Sequence, residues 1–173
     1  MIIMESIKLN IRKSKYSDLD KVYDLHLKCF EKTDCWYKTI VRQHINNGYV
    51  IENNKNIIGV LLEGDIIALD GNEEFIPSND IGTKFIEDNL QYSKLFGIIM
   101  ICVDPNYQKF GLGKKLINKH ISKNKNKSLY LHTRKSNTAQ QLYIKMGYKH
   151  IGTINNKYFQ PSEDSIFMSY NYI

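Results

Sequence analysis

Cysteine is scarce. Cys29, Cys35 and Cys102 are the only three, and no two stand as C-x-x-C. An odd trio without that spacing argues against a disulfide framework or a four-ligand zinc site, and favours a reducing compartment. Long apolar runs are missing too. No stretch reaches the roughly 18 residues a transmembrane helix needs, so none is expected. Met1-Ile2-Ile3-Met4-Glu5 has neither a basic start nor a long apolar segment, and does not read as a signal peptide. Proline occurs 3 times in 173 residues, and no Pro/Gly/Ser linker or internal repeat divides the chain. A single domain over residues 1–173 is therefore expected. Arginine is limited to Arg12, Arg42 and Arg134, so lysine supplies nearly all of the +6 net charge. A basic excess suits an anionic partner without choosing a fold.

What is present has the rhythm of a mixed α/β domain. Ile7 to Ile11 alternates apolar and polar residues, as a half-buried strand does. Ser17, Asp18 and Asp20 mark a helix start, followed by the stripe Leu19, Val22, Tyr23, His26, Phe30. A second stripe runs from Trp36 through Val41 to Ile45 and stops at Asn46-Asn47-Gly48. Two apolar runs flank Asn53-Asn54-Lys55-Asn56, which is a hairpin pattern. Residues 64–95 are harder to read, although Asn79-Asp80 suits the start of a helix carrying Ile81, Phe85, Ile86 and Leu90. Phe96 to Val103 is a continuous apolar run bounded by Asp104-Pro105, which reads as a central strand. A helix from Leu112, a short strand Leu129–His132, a helix from Asn137 stopping at Gly147, and two further strands complete the chain.

The passage from Val103 to Lys115 carries the chemistry. It leaves a buried strand and enters a helix through Gln108-Lys109-Phe110-Gly111-Leu112-Gly113-Lys114. Glycines free the backbone for close approach or unusual dihedrals. The N–H groups at a helix start favour an anion. A Walker A loop would need glycine at Gln108 and Ser or Thr after Lys114; a dinucleotide fingerprint would need glycine at Leu116. Neither fits, and the remaining reading is a pyrophosphate cradle or a plain strand–turn–helix.

Gln108-x-x-Gly111-x-Gly113 after Val-Asp-Pro resembles the acetyl-CoA loop of the GNAT superfamily of N-acetyltransferases. Asn137-x-Ala139-x-x-x-Tyr143-x-x-x-Gly147-Tyr148 resembles that family's following helix and strand. The likeness is greatest to the subgroup that acetylates protein N-termini, including the ribosomal-protein alanine acetyltransferase type. It implies an α/β fold with a mixed, mostly antiparallel central sheet splayed at the cofactor strand and about four helices on both faces. It implies acetyl-CoA as cofactor. Backbone groups of Ile101, Cys102 and Val103 would hold the pantetheine arm. Amides of Gln108, Lys109, Phe110, Gly111, Leu112, Gly113 and Lys114 would hold the pyrophosphate. Members usually place an asparagine seven residues before the tyrosine; here Asn137 stands six before Tyr143 and Ser136 seven before, so either contacts the pantetheine.

Direct attack of an amine on a thioester needs an oxyanion donor, an acid and a base. A backbone N–H near Cys102 or Val103 would serve as donor. By resemblance Tyr143 is the acid for the departing thiolate, and His132, working through a water, is the base. A packed core tyrosine and a backbone-satisfied strand-end histidine are the plain alternatives. Lys157-Tyr158-Phe159 with Glu163-Asp164-Ser165 is similar to a Tyr-Tyr…Glu-Asp-Ala stretch whose aromatics line a peptide groove. Phe30, Trp36 and Tyr37 resemble the aromatic loop between the first two helices of that subgroup. These residues are the expected substrate contacts, and core packing is the competing reading.

The expected acceptor is therefore the α-amino group of a peptide or protein N-terminus. The alternatives are a small amine or lysine side chain, with Glu63, Asp65, Asp70, Glu73 and Glu74 as carboxylates, and a non-catalytic acyl-CoA-binding module. Ribosome association, a cytoplasmic location and a monomer or weak homodimer go with the first reading. Neither DNA nor a membrane is an expected partner. Lys123 to Lys127 reads as a solvated turn, with the adenosine 3′-phosphate or ribosomal RNA as the other reading. His26, His44 and His150 have no metal spacing, so no metal is expected.

Overall fold

The computed structural model describes residues 9–30, 37–67, 74–89, 94–159 and 162–171; for Ile67, Asn89, Lys94, Asn156, Tyr158 and Phe159 it describes the backbone alone. The elements are β1 (Leu9–Lys13), α1 (Leu19–Cys29), α2 (Lys38–His44), β2 (Gly48–Asn53), β3 (Asn56–Ile67), β4 (Phe75–Pro77), α3 (Asp80–Asn89), β5 (Lys94–Val103), α4 (Leu112–Lys123), β6 (Leu129–Arg134), α5 (Gln140–Lys145), β7 (Lys149–Phe159) and β8 (Ser162–Tyr170). Short 3₁₀ turns at Tyr16–Asp18 and Pro105–Tyr107 precede α1 and follow β5. The strands hydrogen-bond in the order β1-β2-β3-β5-β6-β8-β7-β4. β5 and β6 run parallel, while β1–β2, β2–β3, β4–β7, β6–β8 and β7–β8 are antiparallel, giving the expected mixed sheet. Contacts divide the chain into two compact units, Met1–Glu63 with Met100–His120 and Gly64–Ile99 with Ile121–Ile173.

In the first unit, α1 buries Leu19, Val22 and Leu25, spaced three residues apart along one helical face. They join Val41 of α2, Val50 of β2, Val60 of β3 and Met100 of β5 in one cluster. Each such side chain contributes about 1.5–3 kcal/mol on full burial. β2 and β3 meet at a two-residue turn in which Asn54 (φ 49°) and Lys55 (φ 68°) are both left-handed. That is the geometry a right-twisted hairpin prefers. The start of α1 is held by an ion cluster with no local sequence signature. Arg12 donates Nη1 to Asp18 Oδ2 at 2.7 Å and Nη2 to Asp18 Oδ1 at 2.8 Å. Its Nη2 also reaches Glu52 Oε1 at 2.5 Å. Burial alone would raise the Asp18 carboxyl, but the bonds from Arg12 and the Lys15 amide outweigh it and hold it below the usual range.

In the second unit the core is aromatic. Phe75 of β4, Phe85 of α3, Tyr130 of β6 and Phe167 of β8 pack with ring centroids 5.4–5.9 Å apart. The stretch after residue 64 thus supplies an edge strand, β4, paired with β7, and a helix, α3, whose Phe85 packs on Tyr130 of β6 and Phe167 of β8. Asn79 starts α3 as expected: its Oδ1 accepts the Gly82 amide at 3.0 Å, and its Nδ2 bonds His150 O at 2.8 Å. The β5–β6 ladder is short, with Gly97 opposite Tyr130 as its one registered pair among the described residues. A Cβ on Gly97 would lie 1.8 Å from Tyr130 O, so only glycine lets the strands meet there.

Candidate active site

In the first unit, the strand-to-helix passage is braced by hydrogen bonds at the end of β5. Asp104 Oδ1 accepts the Asn106 amide at 3.0 Å, and the Asp104 amide bonds Ile58 O at 2.9 Å, which fixes the end of β5. Gln108 folds back, its Nε2 donating to Val103 O at 3.1 Å. The Cys29 thiol donates to the same carbonyl at 3.3 Å. Glutamine at 108 therefore ties the loop to the strand it has just left. Beyond it, Lys109 (φ 66°) and Gly111 (φ 77°) are left-handed, the kind of backbone found in anion-binding nests. A Cβ on Gly111 would meet nothing within 4 Å, so glycine is needed there for its dihedral and not for space.

The Lys115 amide bonds Gly111 O at 3.1 Å, which closes the first turn of α4. The amides of Leu112, Gly113 and Lys114 come before that bond and are the helix's intrinsically unpaired donors. Gln108, Lys109, Phe110, Gly111 and Lys114 are exposed, whereas Leu112 is buried and anchors α4. Unpaired first-turn donors and the exposed Lys109 and Lys114 make a surface suited to a diphosphate. On β5, Met100 and Cys102 are buried in the unit's core, while Ile101 and Val103 are half-buried. The neighbouring Cys29 thiol, together with burial, pushes the Cys102 thiol well above its ordinary value, so it is packing rather than a nucleophile.

In the second unit, His132 stands on β6 opposite Phe167 of β8 and is half-buried. Burial, aided by the Lys157 charge, pushes its imidazole down from 6.5 to about 4, so the ring is neutral at ordinary pH. Tyr143 is 6% exposed on α5, with its ring edge-on to Tyr148 at 6.1 Å. The helix ends in a Schellman turn. Gly147 has φ 94°, its amide bonds Ile144 O at 3.0 Å, and the Tyr148 amide bonds Tyr143 O at 3.0 Å. The Tyr143–Tyr148 ring contact is the apolar clasp that goes with that turn. Tyr143 is thus fixed as a helix-end packing residue, whatever else it does.

The loop between β6 and α5 is strapped to β8 through Glu163. This carboxylate accepts the Ser136 amide, the Ser136 hydroxyl at 3.0 Å and Arg134 Nη1 at 3.3 Å. Desolvation works to raise Glu163, but the Ser136 and Arg134 bonds prevail and hold it below the usual carboxylate range. Asn137 instead turns Oδ1 to the Ala139 amide at 2.8 Å. Ser136 spends both its donors on Glu163, which distinguishes two neighbours that the spacing left equivalent.

The expected substrate contacts lie in different surroundings. Phe30 lies tilted against His26, with centroids 4.7 Å apart, and packs against the first unit's core. Tyr37 is 80% exposed at the start of α2. Trp36 lies outside the described residues, as do the side chains of Tyr158 and Phe159, whose backbone is in β7. Of the carboxylates proposed for a small-amine site, Glu63 lies 2.6 Å from Nδ1 of the buried His120, and Glu74 accepts from Asn155 at 3.2 Å. Asp70 and Glu73 lie outside the described residues. Among the described residues no cluster of His, Cys, Asp or Glu could hold a metal, and no helix is long and apolar enough to cross a membrane.

A family model described as the acetyltransferase (GNAT) domain matches residues 45–150. The chain belongs to the GNAT acetyltransferase family. Its matched region holds the loop, β6 and α5, so the enzyme class is an acyltransferase of that family. This GNAT chain is 34% identical over 105 residues to the ribosomal protein bS18 alanine N-acetyltransferase of Haemophilus influenzae, covering 57% of this chain and 70% of that protein. Two solved structures share the fold at 19% identity. The ribosomal-protein-S18-alanine N-acetyltransferase from Escherichia coli has a TM-score of 0.68 and covers 94% of this chain and 92% of its own. Arabidopsis thaliana NAA60 in complex with acetyl-CoA has a TM-score of 0.74 and covers 96% and 100%. Sequence reasoning missed three features of this GNAT chain: the Arg12 cluster, the His120–Glu63 pair and the Glu163 strap. Each joins residues far apart in sequence, and only Glu163 lay within a quoted motif.

Proposed function

We propose that the chain transfers an acetyl group from acetyl-CoA to the α-amino group of a peptide or protein N-terminus, by direct attack in a ternary complex. The observation that carries the donor half is the left-handed pair Lys109 and Gly111 opening onto the start of α4. When bound, acetyl-CoA supplies an activated acyl group at its thioester. The amides from Lys109 to Lys114 would grip its diphosphate, and Asn137 would touch the pantetheine; the Gln108 amide, expected to join them, is instead turned to Pro105 O at 3.4 Å. A backbone N–H at Cys102 or Val103 would face the developing oxyanion. The Tyr143 hydroxyl would give its proton to the leaving thiolate.

The character of the base supports this acceptor. His132 titrates near 4, so it is a weak base. An α-ammonium titrates near 8, and handing its proton to this ring is uphill by roughly 5 kcal/mol. A lysine ammonium near 10.4 raises that cost to roughly 9 kcal/mol. So weak a base suits an amine with a usable neutral fraction at working pH, which an α-amine has and a lysine side chain lacks, with His132 orienting a water beside it. The relationship to an alanine N-acetyltransferase of ribosomal protein bS18 supports the same acceptor class and makes a ribosomal protein N-terminus the first peptide to try. One domain acting in the cytoplasm fits this role. The test is acetyl-CoA with peptides of different first residues, a peptide whose sole amine is a lysine side chain, and spermidine, read by mass spectrometry. Acetylation at the α-amine of the peptides is expected. Faster acetylation of lysine or spermidine would refute the acceptor assignment.

A further inference from the structure

We infer that Glu163 is a positioning residue for the acetyl-transfer reaction, holding the β6–α5 loop in the geometry that receives the cofactor. The inference rests on the proposed roles of Asn137 and Tyr143. The loop from Lys135 to Ala139 is exposed or half-exposed, and on its own such a segment would sample many conformations. Here it is pinned at several points. The Lys135 amide bonds Asp164 O at 3.1 Å, and the Ser136 amide and hydroxyl both donate to Glu163. Gln140 Nε2 closes the far end on Arg134 O at 3.1 Å and Lys135 O at 2.7 Å.

Of these partners, Glu163 is the only charged acceptor of the loop's own backbone among the described residues, and bonds to an ionised acceptor are the stronger kind. Arg134, at the end of β6, shares the same carboxylate, so strand end and loop are fixed by one group. Asn137 follows Ser136 directly, and α5 with Tyr143 starts three residues after Asn137. Releasing Ser136 therefore frees the segment that presents both. α5 has only six residues, too short to hold its own orientation once its entry is loose.

The test is steady-state kinetics on Glu163→Gln and Glu163→Ala, varying acetyl-CoA and the acceptor peptide separately. Glutamine keeps one oxygen for the Ser136 amide and loses the charge facing Arg134; alanine loses both. KM for acetyl-CoA is expected to rise about threefold in the glutamine variant and about tenfold in the alanine variant, with KM for the peptide unchanged. A general loss of folded protein would lower kcat and leave both KM values alone, so the split separates positioning from plain stability. The Ser136 amide should also lose its protection from hydrogen exchange in Glu163→Ala. An unchanged KM for acetyl-CoA in folded variants overturns the inference, and if the alanine variant does not fold, the glutamine variant decides. A wild-type protein that acetylates no amine defeats the proposed function itself. An active wild type indifferent to Glu163 defeats only this inference.

Discussion

Replacing His132 with glutamine should flatten part of the acid unfolding curve, by an amount the structure sets. The ring is half-buried against Phe167 with the Lys157 charge nearby, and it titrates near 4 in the folded chain against 6.5 when free. The unfolded chain therefore binds the proton at higher pH than the folded chain does. The stability this group contributes is fully present above about pH 6.5 and is lost as pH falls toward and through about 4. The difference corresponds to roughly 3 kcal/mol, an upper figure because the ring keeps some contact with water. Asp18 and Glu52, held ionised by Arg12, also lose stability in acid, so the wild-type curve alone does not isolate the histidine. Glutamine is close in size and does not titrate. Urea unfolding at about pH 7.5 and about pH 4.5 should show the wild type losing about 2–3 kcal/mol more than His132→Gln. Parallel losses would mean that the ring is solvated in the folded chain, and the weak-base argument for an α-amine acceptor would fall with it.

Two further substitutions test other parts of the account. Gly97→Ala puts a Cβ 1.8 Å from Tyr130 O, so the one registered β5–β6 pair must break, at a cost of about 3–5 kcal/mol from lost hydrogen bonds and strain, measurable as a drop in the urea midpoint; a wild-type midpoint would contradict the close approach. Tyr143→Phe should keep the ring contact with Tyr148 and the fold, yet slow turnover by about 10²-fold or more with acetyl-CoA affinity little changed; undiminished turnover would leave Tyr143 as packing alone.

The parts legible in the sequence were those whose signals are local. The run from Phe96 to Val103, the glycines of the cofactor loop, the stop at Gly147 and the Asn54-Lys55 turn each carry their cause within a few residues. Asn79 announced α3 for the same reason, being its own cap. The places of α3 on the sheet and of β4 at its edge were not legible, because Phe75, Phe85, Tyr130 and Phe167 meet only after the strands are in register. Charge partners were hidden likewise. Arg12 and Glu52 are 40 residues apart, Glu63 and His120 are 57 apart, and Ser136 and Glu163 are 27 apart. Spacing named Ser136 and Asn137 as equivalents, and only the carboxylate arriving from β8 tells them apart. The depressed titration of His132 depends on burial and on Lys157 from another strand, which no motif encodes.

The central claim is that the main chain from Lys109 to Lys114 receives the diphosphate of coenzyme A. An amide NMR titration of the whole protein with coenzyme A, beside one with pantetheine, tests it most directly. The account predicts large shifts at Gly111, Gly113 and Lys114 with coenzyme A and little change there with pantetheine. Coenzyme A that saturates the protein while those three amides stay in place would contradict it.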